Sequence, residues 1–514
     1  MRLLHDVSAE TRHVLQRLYT NAVRGGEERR ACGDVRTSTL ASPPTRPAAA
    51  EHLDSTVWKV AVVVFLGLLM TQLDATVVNV SLSTMRQELH ASMDVVQWII
   101  SGYLLALALT VPLNAWLVDR LGAKRLYLGC FSAFTLASLL CGMATSIHGL
   151  IWARVLQGMA GGLLTPMGQM MLARAAGRQV ARVMGYTAMA VLIAPLLGPV
   201  VAGVILHYAG WPWLFYINVP IGMVAVAFAV VLLPGDEAPG HHRPFDVLGF
   251  LLLSPGMASL LYGLEHASGR EARLLLLVGV LLVGAFVWHA MRKGTAALLD
   301  LRLFTNRVFA IATTTLFLAI GTNYAGQMLV PLFLITGCGM SPAQAGWMLA
   351  PMGLGMLAVY PWLGLLTDRW GCRAVSVGGT LLALVGTLPF LWMTQDRLSP
   401  FLLAVSLFAR GAGQGAIGVP AVSAAYVAVP RAQLALATTA SNIVQRLGGP
   451  IGTTIMGMVL SLTATDVPVP RFSTHAPRAF MMAFLVLIGF QVVLLSAAGR
   501  LPSRIQSNSP QERN

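Results

Sequence analysis

The chain carries fourteen apolar runs, each close to the ~20 residues that a helix needs to cross a bilayer. Nothing constrains its fold more. The runs lie at 57–79, 95–117, 126–146, 148–172, 184–207, 213–233, 246–265, 273–291, 308–334, 342–366, 375–394, 399–424, 436–462 and 478–498. In lipid every backbone polar group has to be satisfied within the protein, so repeated runs of this length read as transmembrane helices. Composition agrees: 56% of residues are hydrophobic and 11% charged, with a mean hydropathy of +0.69. Soluble chains hold roughly a quarter charged residues. A water-soluble globule, a disordered chain and a nucleic-acid-binding domain are excluded. The expected fold class is an all-α polytopic membrane protein with 14 transmembrane helices.

An even number of spans puts both termini on one side. The net charge of +14 sets which side. Eighteen lysines and arginines fall in short loops or tails on the side of the termini, and six fall on the opposite side. Cytoplasmic loops carry that excess, so both termini are expected in the cytoplasm of a protein of the bacterial inner membrane. Residues 1–56 are polar and lack a signal peptide's apolar stretch; they read as a disordered cytoplasmic tail or as a start assigned too early. Five cysteines, Cys32, Cys130, Cys141, Cys338 and Cys372, show no spacing that suggests a metal site, and no metal is expected.

The chain nearly repeats itself. Asp119-Arg120-Leu121-Gly122 returns as Asp368-Arg369-Trp370-Gly371, Ala153-Arg154 as Ala409-Arg410, Pro166 as Pro420, and Gly198-Pro199 as Gly449-Pro450. Each offset is about 250 residues. The expected organisation is a six-helix bundle at 57–234, a linker with two extra helices at 235–307, a second six-helix bundle at 308–498 and a tail at 499–514. Repeated halves around a midplane site are common among secondary transporters. Spans seven and eight hold no ionisable residue in their interiors and read as a structural insertion in which nothing pairs a charge.

Charge inside a membrane is costly and marks function. Four residues qualify: Asp74, Arg154, Arg410 and Arg446. Asp74 is the sole deep carboxylate, and a group that alternates between charged and neutral states is what proton coupling requires. Its alternative use is a structural carboxylate locked to an arginine. Counted in residues from the ends of their runs, Asp74 and Arg154 both lie roughly 8–12 Å deep. Tyr103, Asn323, Tyr324 and Gln327 are polar enough to line a cavity, or to serve helix packing instead. Arg410 and Arg446 divide between the same two uses.

Several segments in order carry a resemblance. Leu73-Asp74-Ala75-Thr76-Val77-Val78-Asn79-Val80, the 115–125 segment around Asp119-Arg120-Leu121-Gly122, Arg154-Val155-Leu156-Gln157-Gly158, Gly198-Pro199-Val200-Val201-Ala202-Gly203 and Trp211-Pro212-Trp213-Leu214-Phe215-Tyr216-Ile217-Asn218 resemble motifs of the major facilitator superfamily. The match is to its fourteen-helix drug/proton antiporters of the EmrB/QacA type. Ala115, Ala202 and Pro212 depart from the usual residues. The resemblance implies the major facilitator fold and an Asp74–Arg154 pair at the central cavity. It also implies an antiporter motif at Gly198, Pro199 and Gly203, and a gate made by Asp119, Arg120, Asp368 and Arg369.

The implied activity is export of lipophilic drugs, dyes or biocides by proton antiport and alternating access. The proton gradient would drive it with no cofactor, sometimes through a periplasmic adaptor and an outer-membrane channel. Neutral or monocationic substrates are expected over dications, because the deep charges sum to a positive field. If Arg410 and Arg446 both face the cavity, an anionic or zwitterionic endogenous metabolite becomes the better candidate. A membrane enzyme is the remote alternative: no nucleophile elbow or histidine cluster is present. Gly413-x-Gly415-x-x-Gly418 lies inside an apolar span with no preceding strand and is helix packing, not a dinucleotide site.

Overall fold

The computed structural model describes residues 54–236, 244–265, 269–394, 399–463 and 476–503. Most of both expected tails, and Cys32, lie outside the described residues. Among the described residues there is helix and no strand. The helices are α1 (Ser55–Glu88), α2 (Met93–Leu121), α3 (Ala123–Gly142), α4 (Ile147–Ala176), α5 (Val180–Tyr208), α6 (Trp213–Leu232), α7 (Val247–Glu265) and α8 (Arg270–Lys293). They continue as α9 (Arg307–Leu332), α10 (342–370), α11 (372–387), α12 (Pro400–Val427), α13 (Leu434–Thr463) and α14 (Ala476–Ala498). Each expected run falls on one of them. Among the described residues, ten helices are long and apolar enough to cross a membrane, α10 and α11 being counted there as one. Helix α1 runs nine residues beyond the end expected at 79. Apolarity ends there, but helix propensity does not.

Local chemistry sets several boundaries. Ser146, Ser341 and Ser399 cap α4, α10 and α12 through their side-chain oxygens, each accepting a first-turn amide that has no partner inside the helix. Pro112 lacks a donor N–H, and α2 tightens there into a 3₁₀ turn at Val111–Leu113.

The sequence repeat is visible in the backbone. Gly122 sits at φ 85°, ψ 155° and Gly371 at φ 84°, ψ 163°, a region that only glycine enters without strain. The basic residue two positions on closes the end of the sixth helix in each half. Lys124 donates to the carbonyls of Val230 and Leu233, each at 2.8 Å. Arg373 donates to the carbonyl of Leu501 at 2.6 Å.

The two halves meet at one end. A single apolar core there takes Met170, Ala176 and Val180 from the first half and Leu363, Tyr426 and Ala437 from the second. At the opposite end each half has its own core, around Leu73, Ile99 and Phe215 in the first and Phe333, Phe390 and Phe484 in the second. Hydrogen bonds between the halves also lie toward the joined end. Asn114 donates to Thr439 (3.0 Å), and Gln169 accepts from Tyr426 and Asn442 (2.8 Å each). The bundle is closed at the Asp119 end and parted at the other.

The inserted pair departs from expectation. Asp246, just before α7, is buried and does pair charge. It accepts hydrogen bonds from Lys293 (2.7 Å), the His289 ring (3.0 Å) and the amides of Leu298 (2.9 Å) and Gly249 (3.1 Å). Burial opposes ionisation, but these bonds outweigh it and hold the carboxyl from 3.8 down to about 2. Helix α7 also touches both halves. Tyr262 stacks on Trp98 of α2 with ring centroids 6.2 Å apart, and Thr454 of α13 donates to the Leu264 carbonyl at 3.0 Å.

Candidate functional site

Asp74 is the twentieth residue of α1 and is buried. Helix α4 presents Arg154 and Gln157 to it from one face, since residues three apart on a helix are neighbours. Arg154 Nη1 lies 2.5 Å from Asp74 Oδ2, and Gln157 Nε2 donates to Oδ1 at 2.9 Å. Asn218, the first residue after the turn that opens α6, donates to the same Oδ1 at 2.8 Å. A second layer holds the donors in place. Arg154 Nη1 bonds Gln157 Oε1 (2.6 Å), Arg154 Nε bonds the Ile99 carbonyl (3.2 Å), and Gln157 Nε2 reaches Ser138 Oγ (2.6 Å). The Tyr103 ring covers the guanidinium with its centroid 4.1 Å from Cζ, a cation–π contact. Three side chains thus donate to the Asp74 carboxyl group, and buried polar groups persist away from water only when bonded in this way.

The sequence reading named Asp74 and Arg154 but not Gln157, Asn218 or Ser138 as their partners. Gln157 could have been found, because it stands one turn from Arg154. Asn218 and Ser138 are distant in sequence and give no such signal.

Gly198 of the antiporter motif packs on α1 two residues beyond Asp74. A Cβ there would fall 2.3 Å from Thr76 Oγ1. Gly203 has nothing within 4 Å of such a Cβ, and Pro199 is exposed. The gate residues all lie at the joined end. Asp119 borders a small cleft with Leu436 in the first turn of α13, and Arg120 lies over the Trp116 ring at 5.4 Å. Asp368 feels the charge of Arg182 on α5, whose backbone packs against Gly364; Arg369 is exposed.

Toward the parted end a cavity of about 300 Å³ opens between α2, α7, α9 and α13. Tyr324 and Arg446 line it, as does Glu265 of the inserted helix. Tyr103, Asn323, Gln327 and Arg410 do not. Tyr103 is buried behind the wall, in electrostatic reach of Asp74, Arg154 and Arg446. Arg410 is fully buried in the second half, where its guanidinium presses on Gly326 and Nη2 reaches the Thr322 carbonyl at 3.5 Å. One of the two deep arginines of that half therefore faces the cavity, not both.

Comparison with known proteins agrees with this architecture. The family model described as Major Facilitator Superfamily matches residues 64–453. The "Multidrug resistance protein B homolog" of Mycobacterium tuberculosis is 36% identical over 434 residues, covering 82% of this chain and 80% of that protein. The "Putative multidrug resistance protein MdtD" of Salmonella typhi is 32% identical over 471 residues, covering 89% and 97%. Among solved structures, the proton:xylose symporter XylE superposes with a TM-score of 0.58 at 13% identity, covering 87% of this chain and 95% of that one. At that identity the likeness speaks for the fold alone.

Proposed function

Because the chain belongs to the major facilitator superfamily, we propose that it exports lipophilic small molecules across the bacterial inner membrane in exchange for protons. On this reading it is a fourteen-helix antiporter with both termini in the cytoplasm. The observation that carries the reading is the Asp74 carboxylate. It is buried, bonded to three side-chain donors, and placed one tyrosine away from the cavity arginine Arg446.

Protonation of Asp74 would remove the charge that Arg154 compensates and weaken all three bonds together, since charge-assisted hydrogen bonds are the strong ones. That change falls where α1, α4 and α6 meet, so it biases how the first half sits against the second. A proton taken from the parted side would favour opening of the joined side, and its release there would favour the return. On this reading the joined end, with Asp119 and Asp368, is the cytoplasmic face, and a bundle parted at the other end is the outward-facing member of the cycle. Helices can exchange between two such packings only if the interface is bistable, and Gln169 with its two partners is suited to that role.

The names of the relatives support drug-like substrates. The adaptor and outer-membrane channel used by some exporters of this type are proposed partners. The test is substrate-induced proton movement in proteoliposomes. A lipophilic dye moving down its gradient is expected to drive protons the other way, read by a trapped pH indicator. Dye flux without any proton movement would refute antiport.

A further inference from the structure

Arg410 on α12 is fully buried, and an arginine side chain stays protonated and carries five N–H donors. Its Nη2 reaches the Thr322 carbonyl at 3.5 Å, whereas Nε and Nη1 are buried and, among the described residues, have no hydrogen-bond partner. No ion pair among the described residues includes it. The packing nevertheless makes a place for the guanidinium. Gly326 of α9 leaves free the space that Nη2 occupies, and any side chain at 326 would fill it. One turn before Arg410 on the same face of α12, the Ser406 hydroxyl is also buried and, among the described residues, unpartnered. A buried charge is strongly destabilising unless one of opposite sign compensates it.

The first half shows what such an arginine takes as its partner. Arg154 stands at the corresponding place in the repeat and pairs with Asp74. Thr322 follows Asp74 by about 250 positions, the spacing of the repeat, and brings no charge. We propose that the second half binds a monovalent inorganic anion of the size of chloride at Arg410, where the first half has its carboxylate. The anion accepts from guanidinium N–H groups that bond nothing in the protein, with the Ser406 hydroxyl as a further donor. Its single charge matches the single arginine there, since Arg446, the other deep arginine of this half, lines the cavity instead. A divalent anion would bring a second charge with no partner. Water would occupy the donors and leave the charge uncompensated. The bound anion ties α12 to α9 as Asp74 ties α1 to α4.

The test is the chloride dependence of the full chain, purified in detergent in sodium gluconate, whose anion is too large to be buried there. Sodium chloride replaces gluconate at constant ionic strength. The unaltered protein is expected to broaden the chlorine-35 NMR signal, and bromide should reverse the broadening by displacement. Its melting temperature should rise saturably, by on the order of 1–2 °C at about ten times the half-saturating concentration. Arg410→Gln should abolish both effects. Thr322→Asp keeps the arginine and supplies a carboxylate beside it, so it should abolish them too, and it decides the matter if Arg410→Gln fails to fold. Ser406→Ala should weaken chloride binding about fivefold, the scale of one hydrogen bond. Neither effect in the unaltered protein, or effects that persist in a folded Arg410→Gln or Thr322→Asp variant, overturns the proposal. With no transported substrate and no proton gradient present, the outcome is independent of the exporter reading.

Discussion

Replacing Asp74 with asparagine should abolish proton-driven accumulation, and the structure sets how much accumulation there is to lose. Among the described residues two carboxylates are buried, Asp74 and Asp246. Asp246 is held down at about 2 and stays ionised at any physiological pH, so one carboxylate remains to carry one proton per cycle. One pH unit is worth about 1.4 kcal/mol, a factor of about ten. With the membrane potential clamped to zero, a neutral substrate should accumulate at most about tenfold per pH unit of gradient. Asp74→Asn should build no gradient, yet still exchange labelled for unlabelled substrate, a step that needs no net proton. Asparagine keeps an acceptor for Arg154, which also retains Gln157 and the Ile99 carbonyl. The variant should therefore fold, with a monodisperse elution profile in detergent as the check. The assay is uptake into proteoliposomes with potassium and valinomycin clamping the potential and an imposed pH difference. Accumulation near a hundredfold at one pH unit would mean that a second proton is carried. A gradient built by Asp74→Asn would remove Asp74 from coupling altogether.

Other perturbations test the frame around that site. Asp246→Asn should lower stability near neutral pH: the drop from 3.8 to about 2 is worth about 2 kcal/mol, cut to about 1 because Lys293 is partly exposed to water. Since the folded-state value is depressed, that contribution is present above pH 4 and fades as pH falls toward 2, so thermal unfolding of variant and parent should converge in acid. Gln169→Leu removes both bonds from Tyr426 and Asn442 at the joined end, about 1 kcal/mol each. It should shift the population toward opening there, by up to about thirtyfold, read as faster labelling of a cysteine placed between the halves; unchanged labelling would remove Gln169 from the gate. Gly122→Ala adds a Cβ at φ 85°, within 2.4 Å of Asp236, and should cost at least about 1 kcal/mol. An unchanged melting temperature would show that the turn relaxes freely.

The sequence made the helices legible because a bilayer imposes one length and one polarity on every span. It made the repeat legible because glycine at a positive φ and a basic residue closing a helix end are demands that recur at Gly122 and Gly371, Lys124 and Arg373. Asp74 and Arg154 stood out because charge is rare in such runs. What stayed hidden is contact between distant segments. Asn218 reaches Asp74 across 144 positions, and an asparagine near a helix start has many ordinary uses. The inserted helices looked inert because Asp246 and Glu265 sit at their ends, where charge normally means solvent. Packing against α8 and the segment after it turns one end into a buried ionic cluster, and packing against α2 and α13 makes the other a cavity mouth. Of the two uses open to Tyr103, cavity lining or helix packing, its ring is spent on Arg154.

The repeat also explains why coupling would reside in one half. Helix α4 offers Arg154 and Gln157 to α1, and α12 offers Arg410 and Gln414 to α9 in the corresponding places. Gln414 Nε2 reaches Thr322 Oγ1 at 3.4 Å, and Arg410 reaches the carbonyl of the same residue at 3.5 Å. The arginine–glutamine device is therefore duplicated, but where the first half has a carboxylate the second has the hydroxyl and carbonyl of Thr322. The contacts are correspondingly looser, 3.5 and 3.4 Å at Thr322 against 2.5 and 2.9 Å at Asp74. A threonine does not titrate, so the second half has no proton to exchange at this place. Two identical switches would bind two protons and move both halves at once. With one, a single protonation would change the packing of the first half against a second half that has no carboxylate at the corresponding place, and the asymmetry would give the cycle a fixed partner to work against.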